Sequence, residues 1–388
     1  MKKKIVILGS TGSIGKNTIK IIRKDKKNFD IRLLSTNQNI SEIIKQAKEF
    51  KVKNIIINDY KKFIETKKKY KNLNINFYNS FLILDKLFKK KELSYSMISI
   101  IGIDGLNPSL QLIKYSKNIA IVNKESIICG WNLIKKELKK FKTNFIPIDS
   151  EHFSIYSLIQ NNNYNEIDKV FITASGGPFL NKSLKQMKNI TKKEALNHPN
   201  WKMGKKISID SSTLMNKVFE VIEAKKLFNL KYKDIIILTH PKSYVHAIVK
   251  LKNALIKILV HEPDMKIPIY NSLYLTTKKN IKSKELNISI LNDLRLKKIN
   301  HNQFPLIKIL NHLNDKDSLY ETIIVTINDY FVLKYLDNKI EYHQMIKLIH
   351  KYCNYSEFLK YRNILPINVT EIYKVRDYVS LKLSDLGI

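Results

Sequence analysis

The sequence predicts an α/β protein: an N-terminal doubly wound parallel sheet, a central α/β catalytic domain and a C-terminal helical bundle. Short apolar segments alternate with amphipathic segments of helical length through residues 1–149. This alternation is typical of strand–helix–strand units around a parallel sheet. From residue 304 onward the apolar residues instead recur at helical spacing, as at Ile323, Ile327 and Phe331, which predicts helices packed on one another.

The apolar segments place the elements in order. Strands are predicted at 4–8, 31–35, 54–57, 97–100, 119–122 and 144–148, with helices at 14–23, 40–50 and 106–115. The central part contains a predicted strand leading into two glycines (170–177), a long helix (212–228) and three more strands (234–238, 245–251 and 255–260). The predicted organisation is a dinucleotide-binding domain (1–149), a catalytic and metal-binding domain (150–275) with a flexible lid at about 175–205, a linker (276–303) and a helical domain (304–388).

The composition narrows the class of protein. The formal net charge is +35, which raises the possibility of nucleic-acid binding. Only five of the 69 basic residues are arginines, and the lysines are spread along the chain with Asn and Ile. That distribution favours a compositional drift over a selected nucleic-acid surface. Two cysteines without a CxxC pair, a four-residue N-terminal apolar run and the lack of an 18-residue apolar run favour a cytoplasmic protein without a membrane span.

The first motif is Gly9-Ser-Thr-Gly12-Ser-Ile-Gly15, between the first predicted strand and helix. Glycines at this position allow a tight turn and the close approach of a pyrophosphate to a helix N-terminus. The setting predicts a Rossmann-like dinucleotide site, although an ordinary glycine turn has the same pattern.

Two polar motifs follow later strands. Asn123-Lys124-Glu125-Ser126 comes after the strand at 119–122, where ligands bind in doubly wound sheets. Asp149-Ser150-Glu151-His152 is predicted to be extended, so that Asp149 and Glu151 face one site and can share a hard divalent cation. His152 is predicted to be packed or to support the site. A solvated lysine and a surface acidic pair are the alternatives.

The predicted helix at 212–228 carries Asn216, Lys217, Glu220 and Glu223 along one side. Hydroxyl groups of Ser211, Ser212 and Thr213 precede it and can bind an anion at its N-terminus. Glu220 can supply a third oxygen ligand to the metal. A solvated helix face is the alternative.

The segment between Gly176-Gly177 and Gly204 is polar and contains His198 and Trp201. A loop that carries these side chains between glycines resembles a lid that closes over a substrate. A tryptophan packed under a long loop is the alternative.

Together these motifs resemble the 1-deoxy-D-xylulose-5-phosphate reductoisomerase family. The residues that carry the resemblance are GSTGSIG, NKES, DSEH, SGGPF, HPNWKMGKKISIDS, MNKVFEVIEA and HEPDM, in that order between residues 9 and 265. The resemblance implies a metal-dependent rearrangement of 1-deoxy-D-xylulose 5-phosphate, followed by reduction with NADPH to 2-C-methyl-D-erythritol 4-phosphate. It also implies a homodimer.

The resemblance further assigns roles to residues. Asp149, Glu151 and Glu220 would bind Mg²⁺, Mn²⁺ or Co²⁺. Catalytic roles fall to Lys124, Glu151 and Trp201, the last lying over the substrate. Substrate contacts would come from Lys124, Ser150, Glu151, Ser175, His198, Ser211, Asn216, Lys217 and Glu220. The dinucleotide would be held by Thr11, Gly12, Ser13, Ile14, Asn37, Gln38, Asn39, Asn123, Glu125 and Gly204.

Two departures from the family pattern affect these expectations. The family usually has Gly-Lys-Asn where this chain has Asn37, Gln38 and Asn39, and Gln38 lacks the positive charge that would bind the 2′-phosphate of NADPH. Arg32 or nearby lysines can compensate, so NADPH is expected and use of NADH is left open. The resemblance is also faint after residue 276.

Two other functions are weighed against the reductoisomerase. An ordinary NAD(P)-dependent dehydrogenase of a phosphorylated hydroxy acid would explain the glycine turn but not three converging carboxylates. A lysine-rich RNA- or DNA-binding protein would explain the charge but none of the motifs. We therefore expect a small sugar phosphate as the substrate and neither nucleic acid nor a membrane as a partner.

Overall fold

The computed structural model describes residues 2–159, 164–183, 186–201, 203–275 and 280–385. Parts of the predicted lid (184–185 and 202), linker (276–279), catalytic domain (160–163) and helical domain (386–388) therefore lie outside the described residues. The strands are β1 Lys3–Leu8, β2 Phe29–Thr36, β3 Asn54–Ile57, β4 Asn76–Tyr78, β5 Leu93–Ile98, β6 Ser116–Ile121, β7 Asn144–Phe145, β8 Ile167–Ala174, β9 Ile235–Thr239, β10 Val245–Leu251, β11 Ile256–Val260 and β12 Lys297–Lys298.

Sixteen α-helices lie within the described residues. They are α1 Ser13–Arg23, α2 Ile40–Phe50, α3 Tyr60–Lys69, α4 Leu84–Leu87, α5 Leu106–Ile113, α6 Lys124–Phe141, α7 Ser150–Ile159, α8 Lys192–Leu196, α9 Lys205–Ser212, α10 Met215–Phe228, α11 Lys266–Leu273, α12 Ile288–Asn292, α13 Tyr320–Leu336, α14 Tyr342–Cys353, α15 Ser356–Leu359 and α16 Val369–Asp385.

The chain divides into two compact units. Unit 1 comprises 1–127, 132–149 and 265–281, and unit 2 comprises 128–131, 150–264 and 282–388. Unit 1 contains a seven-stranded sheet in the order β4-β3-β2-β1-β5-β6-β7, and each neighbouring pair is parallel. The strand order reverses between β1 and β5, and ligands bind in doubly wound sheets beside such a reversal.

The parallel sheet predicted from the alternating pattern is confirmed. β1 is its central strand, and Ile5, Val6, Ile7 and Leu8 are fully buried, as expected for a strand covered by helices on both faces. The helix predicted at 40–50 has the observed bounds of α2, whose N-terminus is capped by the side chain of Asn39. β4 was not predicted, because three residues with one polar member give no periodic signal. The strand predicted at 97–100 instead ends at Ile98.

Unit 2 is built on a mixed sheet of five strands in the order β11-β10-β8-β9-β12. β8 and β9 are parallel, whereas β10 pairs antiparallel with both β8 and β11. Helices α7 and α10 cover this sheet through an apolar core that includes Ile155, Val170, Val221 and Val249. This arrangement places the start of α10 beside the end of β8.

The predicted C-terminal helical bundle is also confirmed. Helix α13 packs against α14 and α16 and is buried nearly all round, including Tyr320, Ile324 and Phe331. Such all-round burial identifies α13 as the central helix of the bundle. None of the helices within the described residues is long and apolar enough to cross a membrane.

Candidate active site

The glycine motif forms a close turn between β1 and α1 in unit 1. Gly9 has a φ of +75°, and a Cβ there would lie 2.5 Å from the Ser99 carbonyl oxygen. A Cβ on Gly15 would lie 2.4 Å from the Gly9 carbonyl oxygen. Both positions therefore require glycine. Gly12 caps α1 without a side-chain hydrogen bond, so the first N–H groups of the helix face the turn and can bind a phosphate.

Thr11 and the segment after β2 border this turn. The Thr11 hydroxyl lies 2.8 Å from that of Thr36, which joins the turn to the end of β2. Asn37, Gln38 and Asn39 are exposed. The Gln38 amide donates to an oxygen of Asp59 at 2.9 Å. Arg32, named as a possible substitute for the missing lysine, forms an ion pair with Asp30 at 3.2 Å.

The Asn123–Ser126 motif begins α6. The Asn123 amide donates to the Gly102 carbonyl oxygen at 2.7 Å, which fixes the start of the helix. Lys124 is 8% exposed, and its Nζ lies 2.5 Å from Oδ2 of Asp149 within unit 1. The alternative that Lys124 is a solvated lysine is therefore wrong. Glu125 follows in the first turn of α6 and is also buried.

The prediction that Asp149–His152 is extended is wrong. Helix α7 begins at Ser150, so Glu151 lies in its first turn and strand alternation does not apply. The sequence pattern missed this helix because its apolar residues follow directly on the preceding strand-like segment. His152 is completely buried, as predicted for a packed residue, and its Nε2 lies 2.9 Å from the Glu220 carbonyl oxygen.

In unit 2, Lys217 joins two carboxylates of the proposed site. Its Nζ lies 2.8 Å from Oε1 of Glu151 and 2.6 Å from the Thr173 carbonyl oxygen, and it also donates to Oε2 of Glu220. Lys217 and Glu220 are only 4% and 2% exposed. The alternative of a solvated helix face on α10 is therefore wrong.

The remaining carboxylate oxygens of this cluster are also engaged. The Asn216 amide donates to Oε1 of Glu220 at 2.5 Å, and the Ser150 hydroxyl donates to Oε2 of Glu151 at 2.7 Å. Asn216 Oδ1 is buried without a hydrogen-bond partner among the described residues. An orphaned acceptor beside two carboxylates is an incomplete network, and a donor or cation from a ligand would complete it.

The charge of Lys217 is maintained by its neighbours. Burial alone would lower the pKa of this ammonium group, but the carboxylates of Glu151 and Glu220 outweigh burial and raise the pKa above its ordinary value. Lys217 is therefore protonated at neutral pH. Because the carboxylates of Glu151 and Glu220 both contact this ammonium group, the site stabilises a positive charge between them.

The helix predicted to begin at Ser212 is interrupted. Leu214 has a φ of +60° and separates α9 from α10, which places Ser211 on α9 rather than on the helix that carries Lys217. Gly177 approaches Ser211 so closely that a Cβ would lie 2.8 Å from the Ser211 carbonyl oxygen. The Gly176–Gly177 turn therefore packs against the backbone at Ser211.

His198 joins the Ser175 turn to Trp201. Its Nδ1 accepts the backbone N–H groups of Asn200 and Trp201 at 3.1 and 3.0 Å, so the neutral ring carries its proton on Nε2, which lies 3.0 Å from the Ser175 hydroxyl. Burial, aided by the charge of Lys217, lowers the pKa of His198 to about 4. The Ser175 oxygen also accepts the Gly177 N–H, so its own proton remains to donate to an anion.

Comparison with known proteins identifies the family. Residues 5–130 match the 1-deoxy-D-xylulose 5-phosphate reductoisomerase family, and residues 145–228 and 260–379 match its two C-terminal domain families. The reductoisomerase of Pelagibacter ubique is 56% identical over 387 residues, which cover 100% of both chains. The chain belongs to the 1-deoxy-D-xylulose 5-phosphate reductoisomerase family. The reductoisomerase of Clostridium perfringens strain 13 is 35% identical over 97% of this chain and 98% of its own length.

Solved reductoisomerase structures have the same fold. A reductoisomerase complex with NADPH, fosmidomycin and magnesium aligns with a TM-score of 0.89 and 30% identity, covering 99% of this chain and 98% of the other. The Zymomonas mobilis reductoisomerase with NADPH gives a TM-score of 0.87 at 26% identity, covering 100% and 99%. The resemblance of the motifs to the reductoisomerase family is therefore confirmed.

Two histidines of unit 2 lie together although no sequence motif predicts a role for either. His246 on β10 and His261 after β11 stack with ring centroids 3.7 Å apart, and Trp201 packs against His246. The HEPDM motif had marked His261 as part of the resemblance. Its contact with His246 arises from strand pairing, which the separate sequence segments do not reveal.

Proposed function

We propose that the side chains described above carry out the family reaction with the roles that the motifs assign. The enzyme converts 1-deoxy-D-xylulose 5-phosphate to 2-C-methyl-D-erythritol 4-phosphate, in the non-mevalonate route to isoprenoid precursors, by a rearrangement and an NADPH-dependent reduction. The observation that best supports the assignment of residues is the buried cluster in which Glu151 and Glu220 face one ammonium group.

Asp149, Glu151 and Glu220 are the proposed ligands of a divalent cation, Mg²⁺, Mn²⁺ or Co²⁺. Their carboxylate oxygens suit a hard cation. Glu151 and Glu220 already converge on a positive charge in unit 2, so the residues fit the group. When bound, the cation would polarise the substrate's carbonyl and hydroxyl oxygens as a Lewis acid.

The protein's own groups position the sugar and move its protons. Lys124, buried beside Asp149, is proposed to donate to a substrate oxygen. Ser150 and Glu151 are proposed to contact the sugar backbone. In the structure, the Ser150 hydroxyl donates a hydrogen bond to Glu151. The enolate-like charge of the rearrangement would be stabilised by the cation that Asp149, Glu151 and Glu220 are proposed to hold.

The phosphate end of the substrate is proposed to bind between Ser175, His198, Ser211, Asn216 and Lys217. Ser175 retains its hydroxyl proton, and Gly177 brings its turn close to Ser211. Trp201 would cover the substrate and exclude water. The neutral His198 ring fixes the backbone of Trp201 and so sets the position of this cover.

NADPH is the reductant, and unit 1 carries the proposed turn for its pyrophosphate. Thr11, Gly12, Ser13 and Ile14 form the turn and the first residues of α1. The remaining proposed contacts are Asn37, Gln38, Asn39, Asn123, Glu125 and Gly204. Hydride from the nicotinamide and one proton complete the reduction of the rearranged aldehyde to the alcohol.

The residue assignment can be tested with two matched variants. Glu220→Gln should weaken Mn²⁺ binding and lower kcat/KM. Replacing a residue that only hydrogen-bonds to a metal ligand typically costs roughly 10- to 100-fold, and the loss in Glu220→Gln should be larger. Glu285→Gln, which changes an exposed carboxylate of the same unit, should retain the Mn²⁺ affinity and the kcat/KM of the wild type. NADPH oxidation with the substrate and Mn²⁺, together with fosmidomycin binding, provides the readout. Full activity of Glu220→Gln would contradict the proposed ligand set.

A second copy of this chain is the proposed partner. Strand β11 forms an edge of the five-stranded sheet, and Ile256 and Ile258 on it are 61% and 48% exposed. An apolar edge strand is a surface that proteins normally cover, and a symmetric homodimer would cover it. Sedimentation of Ile256→Lys compared with Lys252→Gln, a change of the same size in charge beside the strand, tests this proposal. A monomeric wild-type protein would refute it.

The cytoplasm is the proposed compartment. Cys129 and Cys353 are both buried, and neither forms a disulfide with another described residue, as expected in a reducing environment. The proposed functional domains remain 1–149, 150–275 and 304–388, with a lid at about 175–205 and a linker at 276–303. Limited proteolysis with and without fosmidomycin would test the lid, because closure should protect it from cleavage.

A further inference from the structure

Two imidazole rings of unit 2 lie face to face beside the proposed lid tryptophan. The rings of His246 and His261 have centroids 3.7 Å apart and planes inclined by 19°. His246 lies on β10 and His261 directly follows β11. These two strands are antiparallel, and their register shifts between Val245 and Ala247. His246 is therefore the extra residue of a bulge, a feature that redirects a side chain. The bulge permits this stacking.

Hydrogen bonds to the backbone orient both rings. Nε2 of His246 lies 3.1 Å from the carbonyl oxygen of His261, and Nδ1 of His261 lies 2.6 Å from that of Glu262. Each of these nitrogens can donate to its carbonyl only if it carries a proton. Burial lowers the pKa of His246 to about 3 and also lowers that of His261. At neutral pH the pair is thus two uncharged rings of defined orientation.

The stack continues to the lid. The indole of Trp201 meets the His246 ring edge to face, with centroids 6.3 Å apart and planes at 68°. The backbone N–H of Trp201 donates to His198, and the Asn200 side chain donates to Pro241 and Ser243. The backbone at Trp201 is therefore anchored by hydrogen bonds, whereas its indole rests on His246.

We propose that His261 is a positioning residue that supports the His246 ring and thereby holds the Trp201 indole where the lid closes over the substrate. This inference rests on the proposed role of Trp201. His261 acts through His246, because the His246 ring contacts both the His261 ring and the Trp201 indole. Without His261, the buried face of His246 would lose its neighbour and the ring could turn away from the indole.

The flat surface of the His261 ring, rather than its hydrogen bond, should hold the His246 ring in place. His261→Ala removes the stacking surface, whereas His261→Phe retains a flat ring but loses the hydrogen bond to the Glu262 carbonyl. The interaction energy of an aromatic pair corresponds to a change of about 2- to 10-fold in a dissociation constant. His261→Ala should therefore raise the substrate KM and the fosmidomycin Kd by about 2- to 10-fold. His261→Phe should restore most of this loss, and the Kd for NADPH should not change in either variant.

Fluorescence gives an independent readout. The chain has two tryptophans, so in a Trp131→Phe background the emission reports Trp201 alone. His261→Ala should shift this emission to the red without ligand, because the indole becomes more exposed, and His261→Phe should not. This comparison needs no turnover, so it separates failure of the stack from failure of the proposed function.

The outcomes are distinct. Wild-type KM and emission in His261→Ala would overturn the inference. Equal impairment of His261→Phe and His261→Ala would also overturn it, since the hydrogen bond rather than the ring would then be responsible. Restoration by Phe of both the KM and the emission would support it. Thermal unfolding of each variant shows whether a loss reflects the lid or the stability of the whole unit.

Discussion

Nζ of Lys217 lies 2.8 Å from Oε1 of Glu151, although both residues were candidates for separate ligands, phosphate for the lysine and a metal for the carboxylate. The same ammonium group contacts Glu220 and the Thr173 carbonyl oxygen. One buried cation therefore compensates two carboxylates. A divalent cation bound in this cluster would compensate the charge of the same carboxylates together with Lys217.

Lys217→Met should consequently destabilise the protein most when no divalent cation is present. Removing one partner from a buried ion pair typically costs about 3–5 kcal/mol, because an uncompensated charge is left behind. Thermal unfolding with EDTA should show this loss, and added Mn²⁺ should recover part of it. Lys231→Met, an exposed position in the same unit, serves as the control. An equal loss with and without Mn²⁺ would contradict the shared compensation.

Gly12→Ala should separate cofactor binding from folding. Gly12 has an ordinary φ of −76°, and its added Cβ would lie 3.4 Å from the Gly9 carbonyl oxygen, so the fold should tolerate alanine. The methyl group would obstruct the pyrophosphate beside α1 and raise the KM for NADPH. Gly9→Ala, with a Cβ 2.5 Å from the Ser99 carbonyl oxygen, should lower the Tm instead. Unchanged NADPH binding by Gly12→Ala would count against the proposed turn.

Gln38→Lys should increase the preference for NADPH over NADH. Gln38 is bound to Asp59, and neither group supplies positive charge to a 2′-phosphate. A charge-assisted hydrogen bond contributes about 1.5–3 kcal/mol, which corresponds to a roughly 10- to 100-fold change in the ratio of kcat/KM values. Gln38→Met, of similar length but uncharged, controls for shape. The steady-state ratio for the two cofactors is the measurement, and no change in it would place the 2′-phosphate elsewhere.

Two buried imidazoles should make the folded state sensitive to acid. The pKa values of His198 and His246 are lowered to about 4 and about 3, chiefly by burial, from about 6.5 in the unfolded chain. Between pH 6.5 and 4 the unfolded chain therefore binds more protons, so this stability is fully present above pH 6.5 and is lost as the pH falls. The Tm of His246→Gln should fall less steeply over that window than that of the wild type. The exposed His301→Gln should follow the wild type.

The local signals in the sequence were sufficient for some of the regular elements. Strand β3 and helix α2 have their predicted bounds, because apolar periodicity and a capping residue act over a few neighbouring positions. Errors arose where a neighbouring element overrides that periodicity. The sequence predicts an extended segment where helix α7 begins. It gives no sign of the positive φ of Leu214, because leucine rarely adopts a left-handed conformation.

By itself, the sequence determined the class of fold, the family and the set of reactive side chains, since these depend on periodicity and on motifs of contiguous residues. The tertiary structure decided which of those side chains meet. Lys217 lies 66 residues from Glu151, and a bulge between paired strands brings His246 onto His261. Burial, ion pairing and stacking depend on contacts between distant segments, so they follow from the packing of the sheets and helices rather than from any local pattern.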